Sequence, residues 1–267
     1  MTFSKEKTSK AARDYLHRLK NSLALKGEIE LPEVALIDAD ELVRKLCAIE
    51  KQDWWKYAFS REPLDRIFCD RQRQAMYCQA VCCGEQMARE FRQQHPGIVP
   101  SALALKLGLK IEHPEIPQNS HHVLFAQFAE QGVIRIFTDG INKGRQLQES
   151  LAPSSPLKDV SIDEVLTAHE LFHFIELENP SIWTRSYRVT LWKLGFIKNT
   201  SPVFVLSEIA AMAFAAEFCN LDFSPFVLDA FLVYGYSPKA GSALFCEMLE
   251  AAGSAASQNT QPSLACS

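Results

Sequence analysis

The sequence predicts an α+β fold, mostly helical, with a small antiparallel or mixed sheet packed beside one central helix. Three observations carry that prediction. Apolar residues recur at helical spacing through residues 38–91 and again through residues 205–219. Short β-prone runs at 109–111, 123–128 and 133–138 lie together between them. Residues 161–176 then form an amphipathic stretch whose stripe, Ile162, Val165, Leu166 and Phe172, would bury one face of a helix.

Taken in order, residues 1 to about 30 are lysine-rich and polar, a loosely held start. Asp40 then reads as the cap of a helix carrying Leu42, Val43, Leu46 and Ile49, with Trp54, Trp55, Tyr57 and Phe59 close behind and further helix over 72–91. His95-Pro96-Gly97 breaks the pattern and sets the expected boundary between an N-terminal helical region, 1–95, and a second unit, 96–250. A short helix at 102–107 ends at Gly108, and 109–111 leaves as a strand. The runs 123–128 and 133–138 lie close enough to pair as a hairpin, and residues 142–160 read as a polar loop. Ser161 with Glu164 has the form of a capping box, and Asn179-Pro180 marks the stop of the central helix. The basic and aromatic segment 183–194 reads as helical, one wall of a cleft. Ser201-Pro202 opens the helix over 205–219, residues 223–249 read as a helical cover, and 251–267 as a disordered tail.

Composition narrows the classes. The chain has 267 residues, 47% of them apolar, and a formal charge of -4. That balance argues against a surface that coats nucleic acid and against a polybasic membrane anchor, so neither nucleic acid nor membrane is an expected partner. The first residues lack the apolar core of a signal peptide, and no apolar run reaches membrane-spanning length, which makes the expected location cytoplasmic. Eight cysteines in such a chain read as reduced thiols. Cys69, Cys78, Cys82 and Cys83 cluster without a zinc or iron-sulfur spacing, and packing thiols are the plain reading.

The chemistry lies in the central stretch. His169, Glu170 and His173 spell H-E-x-x-H, two imidazoles one helical turn apart on one face, able to converge on a single ion. Glu170 points to the side of the first histidine, where its carboxylate can serve as a general base without being a ligand. The plain alternative is a core helix whose histidines are only hydrogen-bonded. A catalytic zinc ion takes three protein ligands and a water, so one position needs an acid. Glu176 lies one turn beyond His173, and a straight helix cannot wrap it back onto the ion. Glu178 sits near the helix end, and Glu217 faces away from Glu208 on the second long helix. Glu208 shares a face with Ala211, Met212 and Ala215, a thin wall against which another helix can approach, and is the favoured third ligand.

The order of a helix and strand, Ser101-Ala-Leu-Ala-Leu-Lys-Leu-Gly-Leu109, a hairpin, Ala168-His-Glu-Leu-Phe-His173, and Glu208-Ile-Ala-Ala211-Met-Ala-Phe214-Ala215 resembles the ImmA/IrrE family of metallopeptidases over roughly residues 96 to 220. Glu208, Ala211, Phe214 and Ala215 match its Glu-x-x-Ala-x-x-Phe-Ala pattern. The resemblance implies zinc (Zn2+) held by His169, His173 and Glu208, with Glu170 as base. It also implies intracellular endopeptidase activity on a protein or peptide substrate, with a helix-turn-helix transcriptional repressor as the candidate. The interval between the motif helix and Glu208 is longer than in compact members, and the N-terminal region has no recognised counterpart. Tyr187, His121 and His122 are available to stabilise an oxyanion, with nothing in the sequence to choose among them. Two alternatives stand beside this reading: a regulatory binding protein that keeps the zinc-peptidase fold without turnover, and a closed structural metal site.

Overall fold

The computed structural model describes residues 34–115, 125–129 and 131–259. The architecture is α+β and mostly helical, with two small sheets. Helix α1 (Ala39–Cys47) is capped by Asp38, whose side chain accepts from the Asp40 and Glu41 N–H groups. The expected cap, Asp40, is the second residue of the helix and instead pairs with Arg44 at 2.8 Å. A 3-10 turn leads into α2 (Trp55–Phe59), and α3 (Asp70–Gln94) follows. Trp54, Trp55, Tyr57 and Phe59 are fully buried, each worth about 1.5–3 kcal/mol against exposure.

Helix α4 (Pro100–Lys106) ends before Gly108, which takes φ +84°, and strand β1 (Lys110–Glu112) leaves as expected. β2 (Ala126–Ala129) pairs antiparallel with β3 (Val133–Ile136), so the expected hairpin is present, while Val123 and Leu124 lie outside the described residues. β1 pairs with β3 in parallel, making the sheet mixed, with order β1-β3-β2 and, among the described residues, no strand beyond β2.

Residues 142–160 do not form one loop. Most of the first half belongs to α5 (Thr138–Ser150). Gly140 and Gly144 are sites of close packing on this helix: a Cβ on Gly140 would lie 2.9 Å from the Phe125 ring, and one on Gly144 2.8 Å from Leu232. Buried Gln148 then holds the following turn by donating to the carbonyls of Leu157 (2.6 Å) and Val160 (2.8 Å).

Helix α6 (Ile162–Glu178) packs on β2, β3 and α4. Ser161 occupies its N-cap position, but the expected capping box is absent. The Glu164 carboxylate turns to α4 and accepts from the Ser101 N–H (2.8 Å) and hydroxyl (2.5 Å), a tertiary partner outcompeting the local one. Segment 183–194 is helical only in α7 (Trp183–Ser186). It continues as β4 (Val189–Leu194), which pairs antiparallel with β5 (Ile197–Ser201). Val189, Thr190, Leu191 and Trp192 are strand formers, and Gly195 at φ +57° opens a two-residue turn.

Helix α8 (Val205–Phe218) has no cap of its own. Glu62, buried and 143 positions earlier, accepts the Val205 N–H at 3.0 Å and the Leu64 N–H at 3.0 Å. α3 lies against α8 so closely that a Cβ on Gly84 would overlap the Ala210 carbonyl. Helices α9 (Val227–Tyr236) and α10 (Pro238–Asn259) supply the expected cover, and α10 runs past residue 251, where the sequence predicted a tail. Residues 260–267 lie outside the described residues. One apolar cluster runs from Ala39 to Met248 and draws on α1 to α3 as well as on the elements around α6. No described helix is long and apolar enough to cross a membrane.

Candidate metal centre

The helical spacing of His169 and His173 places both rings on the side of α6 that faces α8, and Glu208 meets them from the first turn of α8. His169 Nε2 lies 3.1 Å from His173 Nε2. Glu208 Oε2 is 3.2 Å from His169 Nε2, and its Oε1 is 3.5 Å from His173 Nε2. Among the described residues this trio is the one group of His, Cys, Asp and Glu side chains positioned to hold a metal ion.

The trio fits zinc. Tetrahedral arms of 2.0–2.1 Å put neighbouring donors about 3.3 Å apart, near the spacing seen here, and two imidazoles with a carboxylate form a known catalytic donor set. The hydrogen bonds around His173 also prepare it as a ligand. Ser207 Oγ donates its proton to Glu176 Oε2 at 2.6 Å, so Ser207 Oγ accepts from His173 Nδ1 at 3.1 Å. That assigns the His173 proton to Nδ1 and leaves the Nε2 lone pair facing the other two donors. The other Glu176 oxygen accepts from Thr184, and Arg185 donates to the carbonyls of Glu176 (3.0 Å) and Leu177, so α7 locks the end of α6. Nδ1 of His169 is buried with no hydrogen-bond partner among the described residues.

Electrostatics keep the carboxylate ionised. Burial alone would raise the Glu208 carboxyl, but the charge of His173, the hydrogen bond and charge of His169, and the charge of Arg61 hold it down at about 2. Burial would lower His169, and the hydrogen bond and charge of Glu208, with Glu170 behind it, outweigh that and raise it. Arg61 is itself fixed by Asp229 at 2.9 Å and lies over the Tyr57 ring at 4.4 Å. Thus the N-terminal helical region contributes a partly buried cation close enough to act on the site.

Glu170 is buried on α6 beside His169, and its Oε2 accepts the backbone N–H of Phe128 at 2.6 Å. Among the described residues β2 is an edge strand, so this N–H points away from β3, and Glu170 sits where an added strand would run.

The structure therefore brings together His169, Glu170, His173 and Glu208, all four singled out by sequence. The other acids go elsewhere. Glu217 faces Arg92 at 3.6 Å and Arg89 at 3.8 Å, and Glu176 braces His173 through Ser207. Tyr187 packs on Trp183 with ring centroids 5.0 Å apart, and His121 and His122 lie outside the described residues. Cys69, Cys78 and Cys82 are exposed free thiols, and Cys83 is half-buried. Sequence reading missed Glu176, Ser207 and Thr184 as a brace. The available signals were the position of Glu176 one turn beyond His173 and that of Ser207 directly before Glu208. Glu62 and Arg61 carried no local signal. No family model, curated protein or solved structure matches this chain.

Proposed function

We propose that the protein is a zinc-dependent endopeptidase that hydrolyses a peptide bond in an intracellular protein. The resemblance to the ImmA/IrrE family makes a helix-turn-helix transcriptional repressor the candidate substrate. The observation that carries this reading is the convergence of His169, His173 and Glu208, with a second, separate carboxylate, Glu170, bonded to the Phe128 N–H of β2. His169, His173 and Glu208 would hold the ion. Zinc, when bound, supplies a Lewis acid that polarises the scissile carbonyl and lowers the pKa of water. Glu170 takes the proton from the attacking water and returns it to the leaving amine, with no covalent acyl-enzyme. Glu170 occupies the Phe128 N–H on the outer side of β2, and an extended substrate segment pairing on the neighbouring backbone groups of that strand would have its carbonyls aligned beside Glu170.

The test compares wild-type protein and Glu170→Gln, both loaded with zinc, on a peptide library prepared from a whole proteome and read by mass spectrometry. Expected are new termini with the wild type, lost on chelation and lost in Glu170→Gln although that variant still binds one zinc. Cleavage by Glu170→Gln at the wild-type rate would remove the base assignment. Zinc binding without any cleavage would favour a non-catalytic binding protein.

A further inference from the structure

The β4–β5 hairpin interrupts the chain between the two helices that carry the ligands. One end follows α7, whose Thr184 bonds Glu176, and the other, Ser201, lies six residues before Ser207 in the first turn of α8. Its apolar residues are displayed outward. Phe196 at the turn is fully exposed, and Leu194, Ile197 and Trp192 are 72%, 63% and 50% exposed. Leu194 pairs with Ile197 and Trp192 with Asn199, so these three apolar side chains share one face. Lys193 and Lys198 stand directly opposite each other on the reverse face. Like charges in that register repel, an arrangement that an incoming anion would relieve. From residue 179 to residue 207 the chain has four cations, Arg185, Arg188, Lys193 and Lys198, and no acid, in a protein whose overall charge is -4. Among the described residues no third strand joins this sheet, so both of its backbone edges are open.

We infer that this hairpin is a docking element for an extended polypeptide segment that combines apolar and acidic residues. Such a segment would pair on an open edge, cover the Trp192, Leu194 and Ile197 face and bring carboxylates to Lys193 and Lys198. Open strand edges argue for this partner over a lipid bilayer, because the hydrocarbon region leaves unpaired backbone N–H and C=O groups unsatisfied, whereas a peptide strand satisfies them. The inference rests on the peptidase reading only in making that segment part of the substrate. Its place between the ligand-bearing helices would hold a substrate near the metal centre.

The test is fluorescence anisotropy on the full chain carrying Glu170→Gln, which separates binding from turnover. The probe is a labelled extended peptide rich in valine, threonine and glutamate, with a twin in which lysine replaces each glutamate. Phe196→Ser with Leu194→Ser, and separately Lys193→Glu with Lys198→Glu, alter exposed positions only, and circular dichroism and zinc content check that they fold. Expected is tighter binding of the acidic probe, weakened by about tenfold or more in either double variant, with the charge-reversed protein now favouring the lysine twin. Unchanged affinity in both double variants would overturn the inference. So would hairpin-dependent binding to vesicles of anionic phospholipid in place of the peptide, or a dimer that dissociates on Phe196→Ser and accounts for the exposed face. Binding is read without cleavage, so a protein that cleaves nothing leaves this result standing, and a hairpin that binds nothing leaves the metal chemistry standing.

Discussion

Replacing Glu62 tests whether the N-terminal region holds the helix that carries Glu208. In Glu62→Ala the Val205 and Leu64 N–H groups lose their acceptor. Val205 is buried and Leu64 partly exposed. A buried donor left without a partner costs about 1–3 kcal/mol, and water recovers part of the loss at Leu64. Burial raises the Glu62 carboxyl above its ordinary 4.5, against the backbone hydrogen bonds from Val205, Leu64 and Phe204 that pull it down. A raised acid binds its proton more tightly when folded, so its contribution is largest below pH 4.5 and declines as pH rises through the folded value. At neutral pH the charge therefore costs stability, which offsets part of the loss in the alanine variant and leaves a net destabilisation of about 2 kcal/mol. Glu62→Gln keeps a carbonyl acceptor without the charge, and its loss should stay below about 1 kcal/mol, with wild type declining relative to it as pH rises from 4.5. Urea denaturation followed by circular dichroism measures both variants, and chelator competition measures zinc affinity. An alanine variant within about 0.5 kcal/mol of wild type, with unchanged zinc affinity, would refute this account of how α8 is held.

Other perturbations follow from the same geometry. Ser207→Ala removes the link between Glu176 and His173 and should weaken zinc binding by about 10–100-fold with little change in fold, measured by competition with a chromogenic chelator. Gly84→Ala drives a Cβ into the backbone of α8 around Ala210 and should destabilise by about 3 kcal/mol or more, read as a lower urea midpoint. Burial pushes the Cys47 and Cys219 thiols up to about 12, so iodoacetamide at pH 8 should label exposed Cys69, Cys82 and Cys246 long before either, as peptide mapping would show.

What could be read from the sequence follows the range of the interactions. The α6 helix and its two histidines were legible because periodicity and H-E-x-x-H spacing are local. Glu208 was legible because its alanine-rich surroundings imply close helix packing, which α8 shows against α3 and α6. The polar composition of 142–150 suited a loop, and nothing local showed that Gly140 and Gly144 admit Phe125 and Leu232 against a helix. The hairpin was hidden by its mixture of aromatic and basic residues, which also suits a helix face. Two contacts had no signal in sequence: Glu62 accepting from Val205, and Glu164 bonding Ser101 in place of capping its own helix. Each depends on a partner that only the folded chain brings near.

The central claim is that His169, His173 and Glu208 bind one zinc ion together. X-ray absorption at the zinc edge of the reconstituted protein measures it most directly. Two imidazole nitrogens and at least one oxygen in a single site are predicted, with loss of an oxygen ligand and at least ~10-fold weaker binding in Glu208→Ala. A spectrum dominated by sulfur, or one that Glu208→Ala leaves unchanged, would contradict it.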